Sequence, residues 1–214
     1  MFMALSSHDG ADIPDEVRAP AAPRLVVHTP DDPQRAEVEA YIRGIYASHY
    51  GAQVQGFAPV LVSLRDASGI VAAAGYRNAQ GGPLFLERYL DAPVESLLGS
   101  ATDGLVQRQG VVEVGHLASD RPGEGRRLIL LLGPHLATQG FQWVVSTLTA
   151  ELRHLFVRIG VTPLALGTAD PAALGHEAAH WGSYYDHRPV VLAGHLRQAL
   201  QQLARRQARH GGNA

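Results

Sequence analysis

The sequence predicts an α/β fold, a mixed central sheet flanked by helices in a single domain, and three observations carry that expectation. Short stretches of strand character alternate with stretches of helical period in the order β-α-β-β-insert-β-α-β-α-β. A glycine-rich turn, Asp120 to Gly125, follows the most apolar central strand and opens a helix. At 214 residues and 46% hydrophobic content, the chain can bury the core of one ordinary domain without a metal or disulfide.

In chain order, residues 1–23 are Asp-, Ala- and Pro-rich and read as a flexible arm before a domain over 24–195. Arg24–His28 reads as a strand. Asp31 or Asp32 is placed to cap a helix with Pro33 in its first turn and Val38, Tyr41, Ile42, Ile45 and Tyr46 on one face. Pro59–Arg65 and Ile70–Arg77 form a hairpin through the turn Asp66-Ala67-Ser68-Gly69. The insert from Asn78 to Gly110 mixes aromatic and charged residues and shows no period. Val111–Leu117 is the central strand, and Pro134 is expected to kink or divide the helix after its turn. Gln142–Thr147 and Thr162–Leu166 read as strands around a helix over Ala150–Ile159, and Val190–Ala193 closes the sheet. Residues 196–214 form a C-terminal amphipathic helix and tail carrying Leu196, Leu200 and Leu203.

Composition excludes several chemistries. There is no cysteine, hence no disulfide, thiolate nucleophile or Cys-based metal site. All 18 basic residues are arginine, so neither a Schiff-base lysine nor a Walker lysine is available. A net charge of −2 argues against nucleic-acid binding. Neither a typical signal peptide nor a membrane span is visible, so the expected location is the cytoplasm, with peripheral membrane contact left open.

The segment VVEVGHLASDRPGEGRR, Val111 to Arg127, concentrates the candidate chemistry. A helix start presents unpaired N–H groups and the positive end of the peptide dipoles, which suits a phosphate. Gly123 and Gly125 let backbone approach such an anion, and Arg126 and Arg127 add charge; the bland alternative is a tight connection. Glu113 is a general-base candidate or a buried glutamate paired with Arg77. His116 is a second base, a donor to a carbonyl, or a satisfied strand-end histidine. Arg77 can clamp a carboxylate or phosphate, or form a rim salt bridge with Glu87. Glu87, Arg88 and Tyr89 can line an acceptor pocket or a solvated acidic loop. Trp181, Tyr184 and Tyr185 read as core, although one tyrosine hydroxyl can act as an acid; if extended, only one of Tyr184 and Tyr185 faces a cleft. His176-Glu177-Ala178-Ala179-His180 matches the zincin pattern but lacks a third ligand at the usual spacing, so no metal site is assigned.

The element order, with a glycine turn after the central strand, resembles the GNAT acyltransferase superfamily. That resemblance implies that the strand about Leu117 pairs with a donor's pantetheine arm and the turn holds its phosphate. The superfamily turn is Gln/Arg-x-x-Gly-x-Gly/Ala. Here both glycines are kept, Asp120 takes the first position, and Arg121 stands one residue late as a substitute. The tyrosine acid of many superfamily members is replaced by Phe156, which leaves Tyr184 as the candidate. A narrower resemblance rests on HYGA (49–52), GYRNA (75–79), LFLERYLDAPVE (84–95), VEVGHLAS (112–119), LRHLFVRIG (152–160) and WGSYYDHRPVVLAGH (181–195). These motifs resemble the bacterial thermostable hemolysin family, whose pattern is in turn similar to acyl-homoserine-lactone synthases. Those synthases carry an arginine matched by Arg77 and a Glu-x-x-Arg motif matched by Glu113, with His116 in the arginine's place. The resemblance implies N-acyl transfer to a small amine. The co-substrate would be acyl-CoA or an acyl-phosphopantetheine on an acyl carrier protein, with no tightly bound cofactor. Asp120 shifts the expectation towards the carrier protein. The family name suggests a second reading, a membrane-active effector that inserts helices such as Leu196–Arg209; a non-catalytic binding module is third.

Overall fold

A computed structural model gives the structure of residues 22–211, in which one seven-stranded sheet organises everything else. The strands are β1 (Arg24–His28), β2 (Val60–Asp66), β3 (Gly69–Asn78), β4 (Val111–Ser119), β5 (Trp143–Leu148), β6 (Leu164–Thr168) and β7 (Val190–His195), in the order β1-β2-β3-β4-β5-β7-β6. Every neighbouring pair is antiparallel except β4 and β5, which run parallel. The helices are α1 (Arg35–Tyr50), α2 (Val94–Thr102), α3 (Glu124–Thr138), α4 (Ala150–Ile159) and α5 (Leu196–Gly211).

Strand alternation sends side chains to two separate cores. On one face, Val62, Ala74, Val112 and Val114 pack with Leu128, Leu132 and Leu136 of α3 and Leu196 of α5. On the other, Leu61 and Ala73 pack under Val38 and Ile42 of α1, while Leu84, Leu86 and Leu98 of the insert cover Val111, Val145 and Val191. Arg77 and Glu113, directly opposite in register, emerge on this second face.

The expected strands and helices are present within a few residues of their expected bounds, and four details differ. Helix α1 begins at Arg35 with Gln34 at its cap position; Asp32 instead accepts the Gln34 N–H at 2.7 Å, and its other carboxylate oxygen lies 3.3 Å from His28 Nδ1. Pro134 sits inside an unbroken α3. The insert is ordered structure: 3₁₀ turns at Ala79–Gly81, Phe85–Tyr89 and Arg108–Gly110, and α2. The tail helix packs on the domain, with Ala199, Leu200 and Leu203, half-buried, lining a cavity beneath α3. The proposed arm falls almost wholly within residues 1–21, outside the described residues.

Candidate active site

The site arises where the sheet fails to stay closed. Parallel pairing of β4 with β5 covers only Val111–Glu113 against Trp143–Val145, and then the two strands separate. Beyond Glu113, the β4 edge that faced β5 continues without a partner strand. On its other edge β4 carries a bulge: Ala73 pairs with Ala118 and Gly75 with Gly115, so three steps on β4 match two on β3. The extra residue reverses the facing of the strand, which is why Val114 packs towards α3 while Ala118 packs under α1. His116 lies in the bulge with φ 54°, a conformation that costs a residue with a β-carbon about 1 kcal/mol or more.

A cavity of about 440 Å³ fills the gap on the α1 and insert face. Glu113 is at its base. The Glu113 carboxylate accepts the Phe85 N–H at 2.9 Å on one oxygen and the Leu86 N–H at 3.0 Å on the other, so the first turn of a 3₁₀ segment holds it in place. Burial raises its pKa; those two N–H groups and the Arg77 charge oppose the rise without cancelling it. Arg77 lines the same cavity but makes no side-chain hydrogen bond or ion pair with the described residues. The reading of Glu113 as the salt-bridge partner of Arg77 is therefore replaced by anchorage on backbone.

His116 Nε2 lies 3.1 Å from the Gly56 carbonyl. A carbonyl only accepts, so Nε2 carries the proton and Nδ1 has a bare lone pair, buried without a partner. Burial lowers the His116 pKa to about 4. The donor-to-carbonyl role expected for His116 is not set up here, because its one N–H is spent on Gly56. What His116 does is fasten the 51–58 loop to the bulge. Gly75 makes room for this: a β-carbon there would sit 2.9 Å from Ala58 Cβ and 3.2 Å from His116 Nδ1.

Tyr184 is almost fully buried in the cavity wall, and its hydroxyl donates to the Thr147 carbonyl at 3.2 Å, on β5 where the strands have parted. Burial pushes its pKa well up, so it remains a proton donor. Residues Tyr184–His187 form a 3₁₀ turn rather than an extended segment, and both Tyr184 and Tyr185 border the cavity, contrary to the alternation expected. Tyr89 also lines it, with its hydroxyl 2.6 Å from that of Tyr185.

Glu87 differs from its sequence expectation. It lies outside this cavity, and its carboxylate takes the Leu84 N–H at 2.8 Å, the Val94 N–H at 3.0 Å and two bonds from Arg108 at 2.6 and 2.8 Å. Arg108 also binds Glu95 at 2.6 Å and the carbonyls of Ala79 and Gly82. This hub fixes the insert, and nothing in the local sequence pattern singled out Arg108. Glu177 of the zincin-like segment pairs with Arg88 at 2.7 Å across the cavity mouth. Pro171–Trp181 is wound as 3₁₀ helix interrupted at Gly175, so His176 and His180 do not stack on one face as they would in an α-helix.

At the far end of β4 the turn bonds its Asp120 N–H to the Tyr41 hydroxyl at 3.3 Å, its Arg121 N–H to Ser119 Oγ at 3.4 Å and its Glu124 N–H to the Arg121 carbonyl at 3.3 Å. The left-handed residue is Gly123, φ 88°, which caps the helix; Gly125 is helical, and a β-carbon there would come 3.5 Å from Ser119 Cβ. Asp120 is tied to α1 through the Tyr41 hydroxyl at 3.0 Å. Arg121 is drawn away to Asp66 at 3.0 Å and Ser68 at 2.9 Å on the β2–β3 turn, so it does not replace the missing Gln/Arg in the cradle. Arg126 is exposed, with no ion pair to the described residues. Behind the gap, on the α3 face, a second and almost wholly apolar cavity of about 100 Å³ lies between α3, α4 and α5; Val114 and Leu117 border both cavities.

The mixed central sheet flanked by helices is a fold of the GNAT-like class, and solved structures share that fold. FeeM, an N-acyl amino acid synthase from uncultured soil microbes, is 15% identical over 85% of this chain and 96% of its own, with TM-score 0.56. BjaI, a CoA-dependent acyl-homoserine lactone synthase, is 12% identical over 86% and 89%, with TM-score 0.55. The AHL synthase LasI is 12% identical over 82% and 91%, with TM-score 0.52. Within that class the chain belongs to the thermostable hemolysin family, which it matches over residues 28–200. A search of curated protein sequences finds no match.

Proposed function

We propose that the protein is an N-acyltransferase that moves an acyl group from a pantetheine thioester to a small amine. The observation that carries this reading is the end of β4–β5 pairing at Glu113, which leaves an open strand edge leading from a buried carboxylate to a glycine-capped helix start. An extended pantetheine arm has amide groups that can pair with such an edge, as an added strand does. Its phosphate then meets the N–H groups about Gly123 and Gly125, with Arg126 alongside. The thioester reaches the gap near Leu117, and its acyl tail has an apolar cavity behind the sheet to enter.

In the reaction the amine nitrogen attacks the thioester carbonyl, a C–N bond forms and the C–S bond breaks. Glu113, directly or through water, takes the proton that the nitrogen sheds; its raised pKa suits it to hold that proton. Tyr184, its hydroxyl turning from the Thr147 carbonyl, supplies a proton to the departing thiolate. The donor is acyl-CoA or an acylated carrier protein, the latter with its own docking surface to compensate for the engaged Asp120 and Arg121. The structures compared above support this reading through their fold, and two of them are synthases of acyl-homoserine lactone.

The membrane-active reading has less support. No described helix is long and apolar enough to cross a membrane, and the apolar face of α5 is already used against α3. The deciding experiment supplies purified protein with acyl-CoA or acylated carrier protein and a mixture of amines, then follows free thiol and N-acyl products by mass spectrometry. Thiol release coupled to an N-acyl product is expected. Leakage of protein-free liposomes without any such product would reverse the ranking.

A further inference from the structure

The cavity at Glu113 has a charge inventory that narrows the acceptor. Its charged side chains are Arg77, Arg88, Glu113 and Glu177. Arg88 and Glu177 neutralise each other at 2.7 Å. Glu113 has its two backbone donors, and Arg77 is left as a cation without an ion pair among the described residues. Arg77 and Glu113 are cross-strand partners on one face of the sheet, where such side chains start about 5 Å apart and reach a common point. A ligand that satisfies both must present an anion and a basic nitrogen within a few bonds. An α-amino acid does so on a single carbon. A simple monoamine would leave Arg77 without a counter-charge, and a diamine would set a second cation against it.

The wall beside this pair fixes the side chain. Phe85 carries one of the N–H groups that hold Glu113, and the two residues line the same cavity. Trp181 is 5.7 Å from Phe85 and Tyr89 is 6.0 Å, centroid to centroid. The Tyr89 and Tyr185 hydroxyls bond to each other at 2.6 Å, which uses one of their two O–H donors, and the rest of this wall offers ring faces. Such a surface favours a planar apolar group over a charged one.

Building on the acyl-transfer reading, we propose that the acceptor is an α-amino acid with a planar apolar side chain, its carboxylate on Arg77 and its amino group at Glu113. The test uses L-phenylalanine, L-aspartate, phenethylamine (which lacks the carboxylate) and 3-phenylpropionate (which lacks the amine). Wild type should acylate L-phenylalanine with kcat/KM about tenfold or more above phenethylamine and L-aspartate, because each loses a charge-paired or packed contact. 3-Phenylpropionate should compete with the amino acid. Arg77→Gln should collapse the preference for phenylalanine over phenethylamine to about one, and Arg77→Lys should restore part of it. Phenethylamine used as well as phenylalanine by wild type, or a preference that survives in folded Arg77→Gln, overturns the proposal while acyl transfer stands. Calorimetric binding of phenylalanine that depends on Arg77 but never yields product supports the site and sinks acyl transfer. Absence of both binding and product overturns both.

Discussion

Glu87 lies in the insert and Glu113 on β4, and each accepts two backbone N–H groups within 3.0 Å. Their environments then diverge. Arg108 reaches both oxygens of Glu87 and drops its pKa to about 2, whereas burial outweighs the more distant Arg77 and raises that of Glu113. The comparison teaches how one residue type becomes a strut or a reagent. A carboxylate whose arginine is in contact has its charge fully compensated and can only hold structure. One held on backbone with its arginine standing off keeps proton affinity and leaves a counter-charge for a ligand.

The largest expected effect breaks the reagent half. Glu113→Gln should fold and lose about 100-fold or more in turnover, measured as thiol release, since a positioned base typically contributes that much. In wild type the base must be deprotonated, so kcat/KM should fall on the acid side with an inflection above the ordinary carboxylate range, and that inflection should vanish in the variant. Wild-type turnover in folded Glu113→Gln would remove the distinction between the two glutamates.

The strut half should fail as stability. Arg108→Met leaves Glu87 and Glu95 facing each other without a cation, for a loss of about 3 kcal/mol in denaturant unfolding. The sign for Glu87 follows from its lowered pKa: its stabilisation is present above the unfolded value of 4.5 and disappears as pH falls through about 2. Because the Glu87 carboxylate also holds the Leu84 N–H ahead of the turn that anchors Glu113, the same variant should shift the acid limb of the activity profile.

Smaller effects belong to the donor end. Gly125→Val puts a branched side chain beside Ser119, where the backbone must admit a phosphate, and should weaken acyl-CoA by about tenfold in titration with little change in unfolding. Normal donor binding in this variant would remove the phosphate cradle from the reading. Arg126→Ala should lower donor affinity only about two- to threefold, with a shallower salt dependence, because an exposed charge is screened.

Much of this arrangement was legible in the sequence, and the rest was hidden for definite reasons. The alternation of Val111, Val112 and Val114 about Glu113 marked a core strand with a charge in it, and Gly123 and Gly125 marked the turn. The bulge at His116 is a mismatch between β3 and β4, which neither strand displays alone. Arg108 could not be singled out because its partners are 13 to 29 residues away in a segment without period. Trp181, Tyr184 and Tyr185 read as core and do pack in the cluster under α1; the cavity they also line exists only because two strands part, which no one segment displays. Of the two effects expected of Pro134, division of the helix does not occur.

The unpartnered edge of β4 has one more consequence. A strand edge recognises amides, and every pantetheine donor carries the same two, so on the proposed reading this grip is blind to the length of what the thioester delivers. Chain-length preference would then be decided on the opposite side of the sheet, where Leu200 and Leu203 of α5 border the apolar cavity. The ruler for the product would thus be α5, whose cavity-facing side chains stand apart from Glu113, Arg77 and the turn.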